Sequence, residues 1–198
     1  MEDMNRSLFM LMNAGAPPGA LDSWLANFFA QWLIYAIPGL VVVLWLWGNR
    51  RVRGAAMLSS AALLLSVTAN LLIASLWFHP RPFMVPMGNQ YLAHLPESSF
   101  PSDHAVVFFS VGLGLLLGGL TRSGFTIVIL GGIVGAARIY LGVHFPLDII
   151  GALLVAMACN WLVIVVFRGR MGQRCLDTLE LIYRRLFAHL IGRGWVQP

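Results

Sequence analysis

The stretch IIGALLVAMACNWLVIVVF, residues 149–167, contains no Asp, Glu, Lys or Arg. It is long and apolar enough to form a helix across a bilayer, which takes about 20 predominantly apolar residues. Four more runs without those residues precede it, at 23–49, 54–80, 104–121 and 123–137. Because backbone groups in lipid must be hydrogen-bonded within their own segment, each run predicts a membrane-spanning helix.

The composition supports a membrane protein. The chain has 198 residues, of which 59% are hydrophobic and 11% are charged, whereas a soluble domain has about 25% charged residues. We therefore predict an all-α integral membrane helical bundle of about five to six transmembrane helices, forming a single domain over residues 1–198. The predicted spans lie near residues 30–48, 55–77, 104–120, 124–141 and 147–167.

Two flanking segments complete the predicted domain. Residues 1–29 mix apolar and polar groups around GAPPG and predict an interfacial helix broken at Pro17 and Pro18; a short sixth span is the alternative. Residues 168–198 form a predicted cytoplasmic tail, in which residues 177–191 predict an amphipathic helix that meets anionic lipid. A frayed polar tail is the alternative there.

The basic residues are all Arg, and the net charge is +5. They do not suggest a nucleic-acid surface, because they lie in short clusters between apolar runs. Most of them fall in three segments on one side of the predicted bundle, at residues 50–53, 122 and 168–193. By the positive-inside rule that side is the cytoplasm. We expect the lipid bilayer, and no nucleic acid, as a partner.

The opposite side collects most of the remaining ionisable groups. Three segments bring them there: HPRPF at 79–83, SFPSDHA at 99–105 and ARIYLGVHFPLD at 137–148. Ionisable residues at membrane depth are costly and usually serve a function. We expect the three segments to meet in one pocket. We interpret His79 as a loop or packing residue, with a pocket role as the alternative, and His94 as part of a solvated loop, with substrate gating as the alternative.

The predicted pocket has the features of an anion site suited to a phosphate. The planar guanidinium groups of Arg81 and Arg138 match phosphate oxygens. Pro101 and Pro146 each stand where a span begins, at the favoured first helical position. The free N–H groups at such helix starts, together with the helix dipole, attract anions.

Two outer His residues can divide the chemistry of phosphoryl transfer. Asp148 follows His144 by four residues, and its carboxylate can hold one ring proton and leave the other nitrogen free to attack. His104 falls in the first turn of the third span and can donate a proton to a leaving oxygen. With the two Arg residues they make a covalent phosphoryl-transfer site. A polar network that only locks helices together is the alternative.

The chain resembles, in three segments, the type 2 phosphatidic acid phosphatase superfamily of membrane lipid phosphatases. The family signature is a Lys, six residues and Arg-Pro; then Pro-Ser-Gly-His; then Ser-Arg, five residues, His, three residues and Asp. The matching parts here are Arg81-Pro82, PSDH at 101–104, and Arg138, His144 and Asp148 at the family spacing. The resemblance covers about residues 25–168.

The resemblance implies a role for each matched residue. His144 is the nucleophile that becomes phosphorylated, Asp148 orients it, and His104 protonates the leaving group. The phosphate is bound by Arg81, Arg138, Pro101, Ser102 and Asp103. The family requires no metal and no other cofactor.

Three positions depart from the signature. Ala74 stands where the family has the Lys of the first part, and Ala137 stands where it has the Ser of the third part. Asp103 replaces the Gly of the second part and puts a negative charge beside the expected phosphate. That charge should repel a phosphate unless it pairs with an Arg or contacts another group.

WFHPRPF at 77–83, together with SFPSDHA at 99–105, resembles the undecaprenyl-diphosphatase branch associated with bacitracin resistance. This implies removal of the terminal phosphate from undecaprenyl diphosphate, the lipid carrier of cell-wall synthesis, at the outer, periplasmic face of the bacterial cytoplasmic (inner) membrane. One alternative is a broader lipid phosphatase for phosphatidic acid, phosphatidylglycerol phosphate or diacylglycerol diphosphate. Another is a non-catalytic anion-binding or transport protein. The oligomeric state stays open.

Overall fold

The computed structural model describes residues 2–198, and within that range the chain is helical and has no β-strand. The predicted all-α fold class is therefore confirmed. The α-helices are α1 (Glu2–Met12), α2 (Ala20–Asn27), α3 (Ala36–Trp47), α4 (Arg50–Leu76), α5 (Asp103–Leu117), α6 (Thr121–Tyr140), α7 (Pro146–Phe167), α8 (Arg170–Leu186) and α9 (Ala188–Gly192). A π-helical turn, Phe28–Trp32, and a 3₁₀ turn, Leu33–Tyr35, join α2 to α3.

Four helical segments are long and apolar enough to cross a membrane, so the chain is a multi-pass membrane protein. They are Ala20–Trp47, α4, α6 and α7, and α5 is a shorter apolar helix between them. The first of these segments begins at Ala20 instead of residue 30. The 11 residues of α1 are too few to cross a bilayer, so α1 is not the sixth span considered above.

The helix α5 lies at the centre of the bundle, where it contacts α4, α6 and α7. Its inward side chains, Phe108, Val111 and Leu115 among them, are fully buried. Glycines bring its backbone close to its neighbours: a Cβ on Gly114 would lie 2.6 Å from Ser59 Cα of α4. Small residues at such crossings are the usual means of tight helix packing in membranes. The tight packing of α5 therefore fixes the position of its N-terminal residues, Asp103 and His104, at one end of the bundle.

The end of the bundle that carries most Arg residues is closed by α8 and the C-terminal residues. Arg50 of α4 donates hydrogen bonds to Asp177 (2.5 Å) and Glu180 (2.8 Å) of α8. The buried Arg53 donates to the carbonyl oxygens of Trp45, Gln197 and Pro198, at 2.8–2.9 Å. The predicted amphipathic tail helix is thus present, as α8 and α9, and it packs on α4.

The opposite end of the bundle is covered by α1. Asn5 is buried, and its side-chain oxygen accepts a hydrogen bond from the Leu147 N–H in the first turn of α7, at 3.0 Å. Phe9 is also buried and packs edge-on against Phe145, with ring centroids 5.2 Å apart. The N-terminal helix therefore contacts the segment between α6 and α7 directly.

The close packing of α5 can be tested with two glycines of different surroundings. In Gly114→Ala the new Cβ would meet Ser59 at 2.6–3.0 Å, so α4 and α5 must separate, at a cost of about 1–3 kcal/mol of unfolding free energy. In Gly132→Ala, in the middle of α6, nothing lies within 4 Å of the new Cβ. That variant should be neutral or stabilised by up to about 1 kcal/mol, because Ala favours helix. Unfolding in detergent measures both, and equal stabilities would contradict the close approach.

Candidate active site

A buried His–Asp pair lies where α6 ends and α7 begins. Pro146 is the first residue of α7, at the predicted position. Asp148, in the same turn, accepts a hydrogen bond on Oδ2 from the Phe145 N–H, at 2.7 Å, which fixes its carboxylate. The Nδ1 atom of His144 lies 3.3 Å from that same oxygen. A carboxylate is acceptor-only when ionised, so Nδ1 carries the ring proton and Nε2 is left with its lone pair.

Ser99 is a third member of this group, and the sequence analysis did not single it out. It is fully buried, its hydroxyl donates a hydrogen bond to Asp148 Oδ2, and its Oγ lies 3.3 Å from His144 Nδ1. The only available signal was its place inside SFPSDHA, two residues before the PSDH that corresponds to the second part of the family signature. One carboxylate oxygen thus receives donors from three directions.

Arg81 is held against the His ring by the loop that follows α4. It is buried and donates hydrogen bonds to the carbonyl oxygens of Glu97, Ser98 and Val143, at 3.0–3.2 Å. Its Nη1 also lies 3.1 Å from His144 Nε2. Because a guanidinium has no acceptor, Nε2 must be the acceptor, which agrees with the tautomer set by the carboxylate.

Arg138, in the last turn of α6, is buried and has partners from three segments. Its Nη1 donates to the carbonyl of Ala30, at 2.9 Å, and its Nη2 lies 3.0 Å from His94 Nε2 and 3.5 Å from Asp103 Oδ1. Ala30 belongs to the π-helical turn Phe28–Trp32. Such turns are rare and often occur at functional sites, and the sequence pattern gave no sign of this one.

The sequence favours a solvated loop for His94, but the residue lies in the pocket. Its ring centroid is 6.4 Å from that of His144. Burial, and then the charges of Arg81 and Arg138, lower the pKa of His94 to about 4, so the ring is neutral at pH 7. Its Nδ1 donates to the Leu95 carbonyl (3.1 Å), and its Nε2 accepts from Arg138.

The start of α5 differs from the prediction. The helix begins at Asp103, with Ser102 as its N-cap, so Pro101 precedes the helix and is not its first residue. The Ser102 N–H donates to the carbonyl of Asp148, at 3.1 Å, and its extended backbone delays the helix. This hydrogen bond between Ser102 and Asp148 fixes the start of α5 to the first turn of α7. The preceding Phe100–Pro101 peptide bond is cis.

The carboxylate of Asp103 links the two catalytic candidates. Its Oδ1 lies 3.2 Å from His104 Nδ1 and 3.6 Å from His144 Nε2. Ser102 Oγ and Arg138 Nε, by contrast, are buried and find no hydrogen-bond partner among residues 2–198. Buried polar atoms are nearly always paired, so these two donors are available to an anion that enters the pocket.

The remaining ionisable groups nearby add little. His79 Nδ1 lies 3.9 Å from Asp148 Oδ1, beyond hydrogen-bond distance. Ala74 and Ala137, at the positions of the signature Lys and Ser, bring no polar side chain to the last turns of α4 and α6. In the described part of the chain, no group of three or more His, Cys, Asp or Glu residues is arranged to hold a metal ion.

The structure therefore brings together the residues that the sequence predicted for the site, with Pro101 at its edge. They form a pocket with two buried guanidinium groups, the start of α5 and a His whose unprotonated Nε2 accepts from Arg81. The start of α7 does not offer free donors as expected, because the Leu147 N–H donates to Asn5 and the Asp148 N–H to the Phe145 carbonyl. This arrangement can bind a phosphate and place its phosphorus next to a nucleophile.

Comparison with known proteins places the chain in a family. Residues 55–171, more than half of the chain, match the family model of the PAP2 superfamily. The chain is 36% identical over its full length to the putative undecaprenyl-diphosphatase YbjG of Escherichia coli, with 99% of that protein covered. It is 27% identical over 80% of its length to the undecaprenyl-diphosphatase BcrC of Bacillus subtilis, with 82% of that protein covered.

The fold is also shared with a solved structure. The crystal structure of Aquifex aeolicus LpxE superposes with a TM-score of 0.68 at 24% identity, covering 81% of this chain and 94% of the other. The family resemblance read from the three motifs is confirmed, and this chain is a lipid phosphatase of the PAP2 superfamily.

Proposed function

We propose that this protein removes the terminal phosphate of undecaprenyl diphosphate through a phosphohistidine on His144, at the outer face of the bacterial cytoplasmic membrane. The observation that carries the proposal is the buried His144, whose Nδ1 faces the Asp148 carboxylate and whose Nε2 faces the anion pocket. The names of the two relatives reported above support the choice of substrate.

In the first step His144 Nε2 attacks the terminal phosphorus. A P–N bond forms while the bond to the bridging oxygen breaks, and His104 gives its proton to the departing undecaprenyl monophosphate. The ring of His144 becomes positively charged, and Asp148 stabilises that charge through Nδ1–H. Arg81 and Arg138 stabilise the negative charge on the transferred oxygens.

In the second step a water molecule attacks the phosphohistidine. His104, now neutral, takes a proton from the water, and the P–N bond breaks to release inorganic phosphate and restore His144. The same residue thus acts as acid and then as base, as the reversal of its protonation state requires.

The charge distribution supports an outward-facing site. The pocket lies at the opposite end of the bundle from the starts of α4 and α6 and the end of α7. Those three points carry Arg50, Arg51, Arg53, Arg122, Arg168 and Arg170. Basic residues are enriched on the cytoplasmic side of membrane proteins, so the pocket would face the outside of the cell.

A broader lipid phosphatase would use the same pocket, because the groups described above suit a phosphate and do not distinguish between lipid tails. With EDTA present, the purified protein in detergent should release phosphate from undecaprenyl diphosphate at least tenfold faster than from phosphatidic acid or phosphatidylglycerol phosphate. A tenfold difference corresponds to about 1.4 kcal/mol. Equal rates would indicate the broader phosphatase, and no release from any of them would leave an anion-binding or transport protein.

The nucleophile is tested by His144→Ala. This change should lower kcat by about a thousandfold or more and abolish an acid-labile phosphoprotein that forms on brief reaction of the wild type. His189→Ala, at an exposed position in α9, is the matched control and should retain full activity. Turnover that persists in His144→Ala would exclude the proposed intermediate.

The variant Asp148→Asn distinguishes a role of the carboxylate in assisting His144 from a role in folding. The near-isosteric amide can still accept from the Phe145 N–H, so the protein should fold. The neutral amide cannot stabilise a charged His144 ring, and kcat should fall about 10²- to 10⁴-fold. Asp22→Asn, on the exposed side of α2, is the control. If Asp148→Asn is folded and as active as this control, the carboxylate does not assist the nucleophile.

A further inference from the structure

We infer that the carboxylate of Asp103 is an internal substitute for the phosphate, which occupies the phosphoryl position and must move away before a phosphate can bind. The inference rests on the proposed function only in the identity of the phosphoryl position. Asp103 differs from the other carboxylate of the pocket, because Asp148 faces His144 Nδ1 whereas Asp103 faces Nε2, the side where a phosphate would bind.

The position of Asp103 Oδ1 is defined by three nitrogen atoms. It lies 3.2 Å from His104 Nδ1, 3.5 Å from Arg138 Nη2 and 3.6 Å from His144 Nε2. These are the groups assigned above to the proton transfer, the phosphate and the attack. A single carboxylate oxygen therefore lies within 3.6 Å of all three nitrogen atoms, in the space that a bound phosphate would occupy.

The carboxylate and a phosphate cannot share this place. Reacting atoms in a productive complex lie about 3–3.5 Å apart, so a phosphorus poised for attack by His144 would need the space that Asp103 Oδ1 fills. Two anions in contact within a pocket of low dielectric would also repel each other strongly. Binding of a phosphate therefore requires the side chain of Asp103 to leave.

The side chain has a way out. Asp103 is the first residue of α5, and 52% of its side chain is exposed, whereas the side chains of His104, Arg138 and His144 are 19%, 2% and 0% exposed. A change of χ1 at a helix start costs little and would turn the carboxylate from the buried partners towards water. The nitrogen atoms of His104 and Arg138 would then be free for the oxygens of a phosphate, and His144 Nε2 would face its phosphorus.

Charge balance explains why the Asp103 carboxylate occupies the pocket when no phosphate is bound. Within residues 2–198, Asp103 is the only carboxylate within 4.0 Å of the Arg138 guanidinium. A buried charge without a partner is costly, and the helix dipole also favours a carboxylate at the first turn of α5. Every phosphate that enters must displace this interaction. The displacement weakens the binding of free inorganic phosphate, the second product.

Titration calorimetry with inorganic phosphate tests the inference on the full-length protein in detergent. Asp103→Asn keeps the size of the side chain and removes its charge, and Asp103→Gly removes both. Both variants should bind phosphate at least tenfold more tightly than the wild type, whereas Asp22→Asn should bind it as the wild type does. Unchanged or weaker binding in the two variants would overturn the inference. So would tighter binding confined to Asp103→Gly, because charge would then not be the cause.

The outcome is independent of the lipid that the protein hydrolyses. If the wild type fails to cleave undecaprenyl diphosphate but Asp103→Asn still binds phosphate more tightly, the proposed function fails and the inference holds. If the wild type cleaves it and phosphate affinity does not change in either variant, only the inference fails. In an active protein, inhibition by added phosphate should strengthen in Asp103→Asn by the same factor as the affinity.

Discussion

The buried carboxylate of Asp148 is the contact on which the pocket end of the bundle depends. Its Oδ2 accepts from the Ser99 hydroxyl and from the Phe145 N–H, and it faces His144 Nδ1. The backbone carbonyl of Asp148 accepts from the Ser102 N–H. These partners belong to the loop before α5, the start of α5, the turn after α6 and the start of α7. Apolar side chains provide little drive for helices to associate in lipid. Polar contacts of this kind therefore set how the helix ends meet.

Two buried Arg residues show how a structural cation differs from one that serves a ligand. The guanidinium of Arg53 donates from all three of its nitrogens to carbonyl oxygens, and it also stacks 4.5 Å from the ring centroid of Tyr183. In Arg138, Nε has no hydrogen-bond partner in residues 2–198, and Nη2 is divided between a neutral His94 and a half-exposed Asp103. Arg81, whose three nitrogens also donate to carbonyl oxygens, brings mainly its charge to the pocket, whereas Arg138 keeps a donor for an anion.

Hydropathy and charge were enough to predict the helical class, the approximate spans and the segments that meet in the pocket, because lipid imposes those constraints residue by residue. Contacts that depend on the path of irregular chain were not predictable. The contacts of His94 with Arg138, and of Ser99 with Asp148, follow from the loop between α4 and α5, which has no periodicity. The π-helical turn around Ala30 leaves no compositional trace either. The N-cap at Ser102, set by a tertiary hydrogen bond, displaced the helix start predicted at the preceding proline.

The departure at Asp103 can be understood from the difference between the substrate and the second product. A pocket with two guanidinium groups and the start of α5 holds any phosphate, and strong binding that persists after the reaction slows product release. A carboxylate that competes for the pocket weakens every bound phosphate by a similar amount. A lipid substrate has additional affinity from its tail in the bilayer, which free phosphate lacks. The same penalty is therefore tolerated by the substrate and expels the product.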